Sequence, residues 1–221
     1  MWMVRHGESN WNALDLVQGQ APGPVLTARG RRQAGAAARF LAGAPVGAVV
    51  SSDLDRAQST AEPIARALDL PLRTDGRLRE RALGEAEGRP VSMLTTEWSG
   101  IGNARVVDAG AAPPGGESVA DFYRRVVGCV EELLGPGGGL EPAVPGEPVI
   151  VAHGGVVRVL LGWIARTGAG SPAGAGLDGM AWGPVPNGRV VWRATPLRFA
   201  RPTARPTGQP TARPTALAAV R

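Results

Sequence analysis

Short apolar segments alternate with helical patterns along most of this chain, and that alternation limits the possible folds more than any other sequence feature. The segments at 46–50 and 149–152 are continuously apolar, which is typical of strands buried on both faces. Further short strands are predicted for the run that ends at Val4, for 70–73 and for 189–193. Apolar residues at helical spacing predict helices at 27–41, 53–68, 118–134 and 154–164.

Strands that alternate with helices favour a mostly parallel sheet, because parallel neighbours need a crossover that is usually helical. We therefore predict an α/β fold, a single three-layer α/β/α domain over residues 1–195. The segment 135–148 is rich in glycine, proline and glutamate and is predicted to be a solvated loop.

The end of the chain differs in composition from the rest. Residues 196–221 contain a repeat of the type Arg-Pro-Thr-Ala, and a proline at every fourth position is incompatible with regular helix or sheet. We predict a disordered tail there. All 24 basic residues are arginines, and residues 179–221 carry seven of them with no acid, so the net charge of +5 comes from this end. The charge therefore gives no support to nucleic-acid binding by the domain.

Several classes of protein are disfavoured by what the sequence lacks. No run of about eighteen apolar residues is present, so no membrane-spanning helix is expected. The residues after Met1 do not resemble a secretory signal, and a cytoplasmic location is expected. Cys129 is the only cysteine, which excludes an intramolecular disulfide and a cysteine-rich metal site. The oligomeric state is left open, with a homodimer as one option.

The only two histidines each follow a predicted strand directly. His6 comes after the first strand, and His153 comes after the strand at 149–152. Because ligands of parallel sheets bind where the chain leaves the carboxyl ends of the strands, we expect the two rings to meet despite their separation in sequence. A lone histidine is usually a surface or capping residue, whereas this pair beside glycines indicates a functional site.

The residues near these strand ends are suited to phosphoryl transfer without a metal. Its transition state spreads negative charge over three oxygens, and arginine binds such oxygens with a planar fork of donors. A neutral imidazole can attack phosphorus if one ring nitrogen is held as a donor. The sequence offers Arg5 and His6 at one strand end, Arg56 after the next strand, His153, and Glu80 as a candidate acid.

The sequence resembles the histidine phosphatase, or phosphoglycerate mutase-like, superfamily in a series of blocks that occur in family order over residues 1 to about 193. These blocks are 4–12 (VRHGESNWN), 26–30 (LTARG), 51–57 (SSDLDRA), 78–88 (LRERALGEAEG), 115–118 (GGES), 151–155 (VAHGG) and 186–188 (PNG). A single Arg-His-Gly triplet is weak evidence, whereas the whole series is specific.

The resemblance implies a role for each matching residue. His6 matches the nucleophile, and Glu80 matches the proton donor that returns as a base when water attacks the phosphohistidine. Arg5, Arg56 and His153 match the groups that hold the phosphoryl oxygens. Asn12 matches a further donor in the pocket, and Arg81 is a compatible substrate contact. The resemblance implies no metal and no organic cofactor.

Phosphatases and mutases share this catalytic core, and three differences favour a phosphatase here. Mutases of the family carry a tyrosine where this chain has Leu83 and a lysine where it has Val91, and the chain has no lysine at all. Only 34 residues separate Glu80 from Gly115, too few for the long mutase insertion. A non-catalytic phosphate-binding module is the third alternative, although the full set of residues argues against it.

The expected substrate is a small phosphorylated metabolite, and its identity is left open. Residues 91–114 are predicted to cover the site with an amphipathic wall that includes Leu94 and Trp98. Trp98 either stacks on a sugar or base, or packs against the protein.

Overall fold

The strands form one sheet in which a single pair of neighbours is antiparallel. The computed structural model describes residues 1–96, 109–135, 139–140, 142–168 and 191–193. Within this part the strands are β1 (Trp2–Arg5), β2 (Val46–Ser51), β3 (Leu72–Thr74), β4 (Glu147–Ala152) and β5 (Val191–Arg193). Their order is β3-β2-β4-β1-β5, and only β1 and β5 are antiparallel. The predicted α/β fold with a mostly parallel sheet is confirmed.

Helices follow the strands as the sequence predicts, with two short additions. In the described part they are α1 (Asn10–Ala13), α2 (Ala28–Leu41), α3 (Asp55–Leu68), α4 (Met93–Thr96), α5 (Val119–Leu134) and α6 (Gly154–Gly168). Thr27, the first residue of the predicted helix, is the N-cap of α2, because its Oγ1 accepts a hydrogen bond of 3.0 Å from the N–H of Gly30. Ser118 caps α5 in the same way, through the N–H of Asp121 at 3.0 Å.

Two hydrophobic clusters on opposite faces of the sheet produce the three layers. Strand residues alternate between the faces, so that Met3, Val50 and Ile150 pack against α5 and α6. Their chain neighbours Val4 and Val49 pack against α2 and α3 on the other face. Burial on both faces explains why the strands are continuously apolar.

The site lies where the connections of two adjacent strands diverge. β1 and β4 are parallel neighbours, with Arg5 beside Ala152. The long helix that follows β1 belongs to one face of the sheet, whereas the helix that follows β4 belongs to the other. Such a switch point leaves a crevice at the carboxyl ends of the strands. His6 and His153 are the residues next after these two strands.

The predicted start of α3 was wrong by two residues. Asp53 was expected to open this helix, but its carboxylate instead accepts two hydrogen bonds from Arg79, at 2.7 and 2.6 Å. The helix therefore begins at Asp55, with Leu54 at the N-cap position.

The starts of β3 and β4 also differ from the prediction. β3 begins at Leu72 because Asp69 adopts a left-handed conformation, with φ of 52°, and Leu70 N donates to Ala65 O in the end of α3. β4 begins at Glu147, within the segment predicted to be a loop, because Glu147 pairs with Val46 of β2.

Some predictions concern residues outside the described part of the chain. The tail at 196–221, Trp98 and the 186–188 block belong to this group. Among the described residues, no helix has both the length and the apolar character needed to cross a bilayer.

Candidate active site

The ring of His6 is buried and held in one tautomer. Only 3% of the residue is exposed, and its Nδ1 lies 2.7 Å from the carbonyl oxygen of Gly7. A carbonyl can only accept, so Nδ1 carries the proton and Nε2 keeps its lone pair. The same turn is held from α3, because Gly7 N donates to Thr60 Oγ1 at 3.0 Å.

His153 lies beside His6, as predicted. The two ring centroids are 5.2 Å apart and the ring planes are inclined by 59°. The Nε2 of His153 lies 2.9 Å from Ser52 Oγ, and its Nδ1 is buried with no hydrogen-bond partner among the described residues. One strand end thus offers a ring nitrogen with a free lone pair, and its neighbour offers a polar atom that has no partner among the described residues.

Burial keeps both rings neutral. It lowers the pKa of His6 well below the usual 6.5, and the positive charges of Arg5 and Arg56 lower it further. The pKa of His153 is lowered well below 6.5 for the same reason, with Arg56 as the next cause. Neutral imidazole is the form that can act as a nucleophile.

Arg56 projects from the first turn of α3 into the site. It is 1% exposed, and its guanidinium donates to the carbonyl oxygens of Gly19 at 2.8 Å and Ala21 at 3.3 Å, rather than to a carboxylate. Its Nε is buried without a hydrogen-bond partner in the described part of the chain. Burial lowers the pKa of Arg56 to about 10, so the group stays charged at neutral pH.

Arg5 supplies a second positive charge from the end of β1. The pKa of Arg5 is lowered to about 10, mainly by burial; Glu80 opposes this shift, and the charges of Arg158 and Arg56 add to it. These guanidinium groups give the crevice a positive potential that suits a phosphoryl group.

Glu80 reaches the site from the loop after the 3-10 turn at Gly76–Leu78. Its Oε2 accepts from Gly155 N at 2.8 Å, at the N-terminus of α6, and its Oε1 accepts from Arg81 N at 3.0 Å. A Cβ atom on Gly155 would lie 2.0 Å from Glu80 Oε1, so only glycine permits this approach. The carboxyl group is therefore fixed in position by main-chain donors.

One cavity of about 460 Å³ joins these residues. Its lining includes Arg5, His6, Arg56, Glu80, Arg81 and His153, so six of the seven predicted site residues meet there. The cavity is also lined by Leu83, Val91 and Leu94. Val91 and Leu94 belong to the segment 91–114 that was predicted to cover the site. The functional roles of these residues stay predictions.

Asn12 is the predicted site residue that the cavity lining does not include. Its Oδ1 accepts from Ser9 N and Ser9 Oγ, both at 3.1 Å, within the capping box of α1. The side-chain amide of Asn12, which was expected to donate in the pocket, thus uses its oxygen to stabilise the start of α1.

Sequence reasoning missed several residues of the site. Gln18, Asp15 and Arg158 line the cavity, and Ser52 contacts His153. Arg158 could have been found from helical spacing, because it lies one turn after Gly154 in α6. Gln18 and Asp15 lie in a loop without periodicity, which offers no such signal.

The described residues contain no group of three or more His, Cys, Asp or Glu side chains arranged to hold a metal ion. The polar side chains of the cavity are instead mainly the imidazoles of two histidines and the guanidinium groups of four arginines, with Gln18 and the carboxyl groups of Asp15 and Glu80. This donor set suits an oxyanion better than a cation.

Fold and site together define an α/β protein with paired imidazoles at the switch point of a parallel sheet. The model of the histidine phosphatase superfamily (branch 1) matches residues 1–181, and the chain belongs to this family. The resemblance of the sequence motifs is thereby confirmed.

Relatives within the family carry different names. A probable phosphoglycerate mutase GpmB of Yersinia pestis (strain Pestoides F) is 38% identical over 176 residues, which cover 79% of this chain and 77% of that protein. A mycobacterial glucosyl-3-phosphoglycerate phosphatase solved with VO3 is 36% identical, has a TM-score of 0.63, and is matched over 75% of this chain and 80% of its own. An Escherichia coli protein assigned provisionally as an α-ribazole-5′-P phosphatase is 31% identical, with a TM-score of 0.62 over 77% of this chain and 79% of its own.

Proposed function

We propose that this protein is a phosphomonoester hydrolase that uses His6 as a nucleophile and passes through a phosphohistidine. The observation that carries the proposal is the hydrogen bond of 2.7 Å between His6 Nδ1 and the Gly7 carbonyl. It directs the lone pair of Nε2 away from the main chain, in a cavity that also contains Arg5, Arg56 and His153. The protein therefore acts on phosphate esters small enough to enter that cavity.

In the first step, His6 Nε2 attacks phosphorus and the bond between phosphorus and the ester oxygen breaks. Glu80 gives its proton to that oxygen, so the leaving group departs as an alcohol. In the second step, a water molecule gives a proton to Glu80 and its oxygen attacks the phosphohistidine. The bond between Nε2 and phosphorus breaks, and inorganic phosphate leaves with His6 neutral again.

The guanidinium groups of Arg5, which is partly buried, and Arg56, which is fully buried, stabilise the transition state of each step. Arg56 is held by main-chain carbonyls and bonds no carboxylate among the described residues, so its charge is available to a phosphoryl oxygen. Preorganised donors of this kind need no rearrangement as charge develops on the oxygens. No metal ion is required in this scheme, and none is assigned.

Phosphoglycerate mutase activity is the second candidate, favoured by the name of the Yersinia relatives. A mutase must retain its substrate while the phosphoryl group returns, which calls for polar contacts beyond the phosphate. The two positions at which family mutases carry tyrosine and lysine are Leu83 and Val91, and both present apolar side chains to the cavity. The phosphatase names among the structural neighbours agree with hydrolysis.

The proposal is tested with a panel of sugar phosphates, phosphoglycerates, nucleotides and cofactor precursors, assayed with excess EDTA for release of inorganic phosphate. At least one ester should be hydrolysed, and quenched enzyme should contain acid-labile phosphate on His6. His6→Ala should lose about four or more orders of magnitude in turnover while it stays folded, because the nucleophile is absent.

Comparable turnover by His6→Ala would refute the nucleophile assignment. Interconversion of phosphoglycerate isomers that outpaces phosphate release would identify a mutase instead. Binding of inorganic phosphate with no turnover of any ester would leave the non-catalytic alternative.

A further inference from the structure

Ser52 contacts His153 through the ring nitrogen Nε2. It follows β2 directly and is completely buried, and its Oγ lies 2.9 Å from His153 Nε2. The main chain holds it firmly, because Ser52 N donates to Val151 O of β4 at 2.9 Å. A polar side chain in such a position requires a hydrogen-bonding reason.

The proton positions in this contact follow from counting donors and acceptors. Within the described part of the chain, Ser52 Oγ has two partners, the N–H of Leu54 at 3.3 Å and His153 Nε2. The N–H of Leu54 can only donate, so the serine hydroxyl proton has one acceptor, which is Nε2. If Nε2 carried a proton instead, two donors would meet one oxygen and the hydroxyl proton would have no acceptor.

We propose that Ser52 is a positioning residue, whose hydroxyl donates to His153 Nε2 and keeps the ring proton on Nδ1, where it can bind a phosphoryl oxygen. This inference rests on the proposed function for its purpose, but the tautomer that it assigns can be measured without catalysis. His153 Nδ1 is the buried ring atom that has no partner among the described residues. Ser52 thus turns a neutral imidazole into a hydrogen-bond donor.

Two further observations agree with this assignment. His6 and His153 leave different ring nitrogens for a ligand. Nδ1 of His6 is bonded to Gly7, which leaves Nε2, and Nε2 of His153 is bonded to Ser52, which leaves Nδ1. The first arrangement leaves a lone pair for attack, and the second leaves an N–H for binding. Burial also lowers the pKa of His153 well below 6.5, so the tautomer of the neutral ring decides what it can donate.

The tautomer is tested directly by NMR on uniformly ¹⁵N-labelled full-length protein, with long-range ¹H–¹⁵N correlations of the imidazole rings at neutral pH. The chain has only two histidines, so His6→Ala assigns both sets of signals. We expect His153 to be neutral with its proton on Nδ1, and inorganic phosphate to shift that signal. A proton on Nε2 in the wild-type protein would overturn the proposal, whether or not the protein is a hydrolase.

The functional arm compares Ser52→Ala with Ser52→Thr and with Ser51→Ala. Ser51 is the matched control, because it is equally buried but its Oγ donates to a main-chain carbonyl, that of Ser52, at 2.8 Å. With p-nitrophenyl phosphate as substrate, Ser52→Ala should lose about ten- to a hundredfold in kcat/KM, as expected when a buried donor is removed. Ser52→Thr should recover most of this loss, and Ser51→Ala should stay close to the wild type.

The same variants separate positioning from general destabilisation. In Ser52→Ala the His153 ring should populate both tautomers, and the affinity for inorganic phosphate should fall by a factor similar to the loss in kcat/KM. Equal losses in Ser51→Ala and Ser52→Ala would overturn the proposal, as would an unchanged tautomer in a folded Ser52→Ala protein. If Ser52→Ala does not fold, the wild-type tautomer and the Thr variant decide the question alone.

Discussion

Arg56 and His153 each bury a polar atom that has no hydrogen-bond partner among the described residues and for which a ligand can supply one. A buried guanidinium is costly unless its N–H groups are bonded, and two of those of Arg56 reach carbonyl oxygens while Nε reaches none within the described residues. His153 Nδ1 is likewise buried without a hydrogen-bond partner among the described residues. A tetrahedral oxyanion between these atoms would satisfy both, so its binding should stabilise the folded protein.

Glu80→Gln should slow hydrolysis in a way that depends on the leaving group. A glutamine cannot donate a carboxyl proton, so esters of alcohols, which leave poorly, should lose about a hundred- to ten-thousandfold in kcat/KM. p-Nitrophenyl phosphate needs less assistance in the first step. It should give a burst of nitrophenolate followed by slow turnover, because the phosphohistidine then lacks its base, and rapid quench measurements check this.

The glutamine also disturbs the local structure, since its amide N–H₂ must face one of the two main-chain donors that now bond the carboxylate. A purely structural loss would reduce the rates for both esters by the same factor. That outcome would count against Glu80 as the proton donor.

The sequence could predict that a side chain lies in the site when the residue follows a strand. It could not predict contacts that a side chain makes with residues elsewhere in the chain. His6, His153 and Arg56 follow strands directly or after one turn, so parallel topology brings them together. Asn12 was expected in the pocket, but the cavity lining does not include it, and its Oδ1 accepts from Ser9 in the capping box of α1. Nothing in the sequence around Ser52 showed that its hydroxyl would meet the ring of His153, which follows β4.

Among the elements, α6 contributes its first turn both to the binding of Glu80 and to the lining of the cavity. Its first residues, Gly154 and Gly155, follow His153 and line the cavity, and the main-chain N–H of Gly155 donates to Glu80. The N-terminus of a helix carries a partial positive charge, which favours a carboxylate or a phosphate there.

Gly155→Ala should impair catalysis through Glu80. The new Cβ would lie 2.0 Å from Glu80 Oε1, so the carboxyl group must move and the hydrogen bond of 2.8 Å to Gly155 N must lengthen. We expect a fall of about a hundredfold in kcat/KM, since small displacements of catalytic groups have effects of this size.

Gly128→Ala is the matched control, because a Cβ at this exposed position of α5 would meet nothing within 4 Å. It should leave kcat/KM unchanged and raise the free energy of unfolding by about 0.5–1 kcal/mol. Unfolding in urea together with steady-state assays checks both variants. Wild-type activity in Gly155→Ala would show that the position of Glu80 is not critical.

Element types could be predicted from periodicity, whereas some element ends could not. Asp53 has the side chain of a good N-cap, but Arg79 binds its carboxylate, and that partner lies in a loop far along the chain. β4 extends back to Glu147 because β2 supplies a pairing partner, which is a property of the sheet. Local sequence cannot show either contact.

The whole molecule places its two neutral histidines in a low-dielectric interior, which links stability to pH. Burial, followed by the nearby arginines, lowers the pKa of both rings well below 6.5. Below pH 6.5 the unfolded chain takes up protons on these histidines and the folded protein does not. The folded state therefore loses stability as the pH falls from about 6.5 toward the lowered pKa values.

We expect each histidine to contribute a slope of about 1.4 kcal/mol per pH unit once the pH is well below 6.5. Urea unfolding between about pH 7 and about pH 5 in phosphate-free buffer measures it. The double variant with His6→Asn and His153→Asn should lose this component. An identical pH dependence in the double variant would show that the rings are protonated in the folded protein.

Because β1 and β4 are neighbours in the sheet, the crevice can form only late in the folding of the chain. The pairing of Arg5 with Ala152 joins the first and nearly the last described segments, so the loop that it closes spans most of the domain. Contacts of such sequence separation form slowly and depend on the intervening chain. During synthesis, the first strand must wait for its partner to emerge from the ribosome before the crevice exists. A nascent chain that has already bound phosphate has thus already paired its first strand with β4.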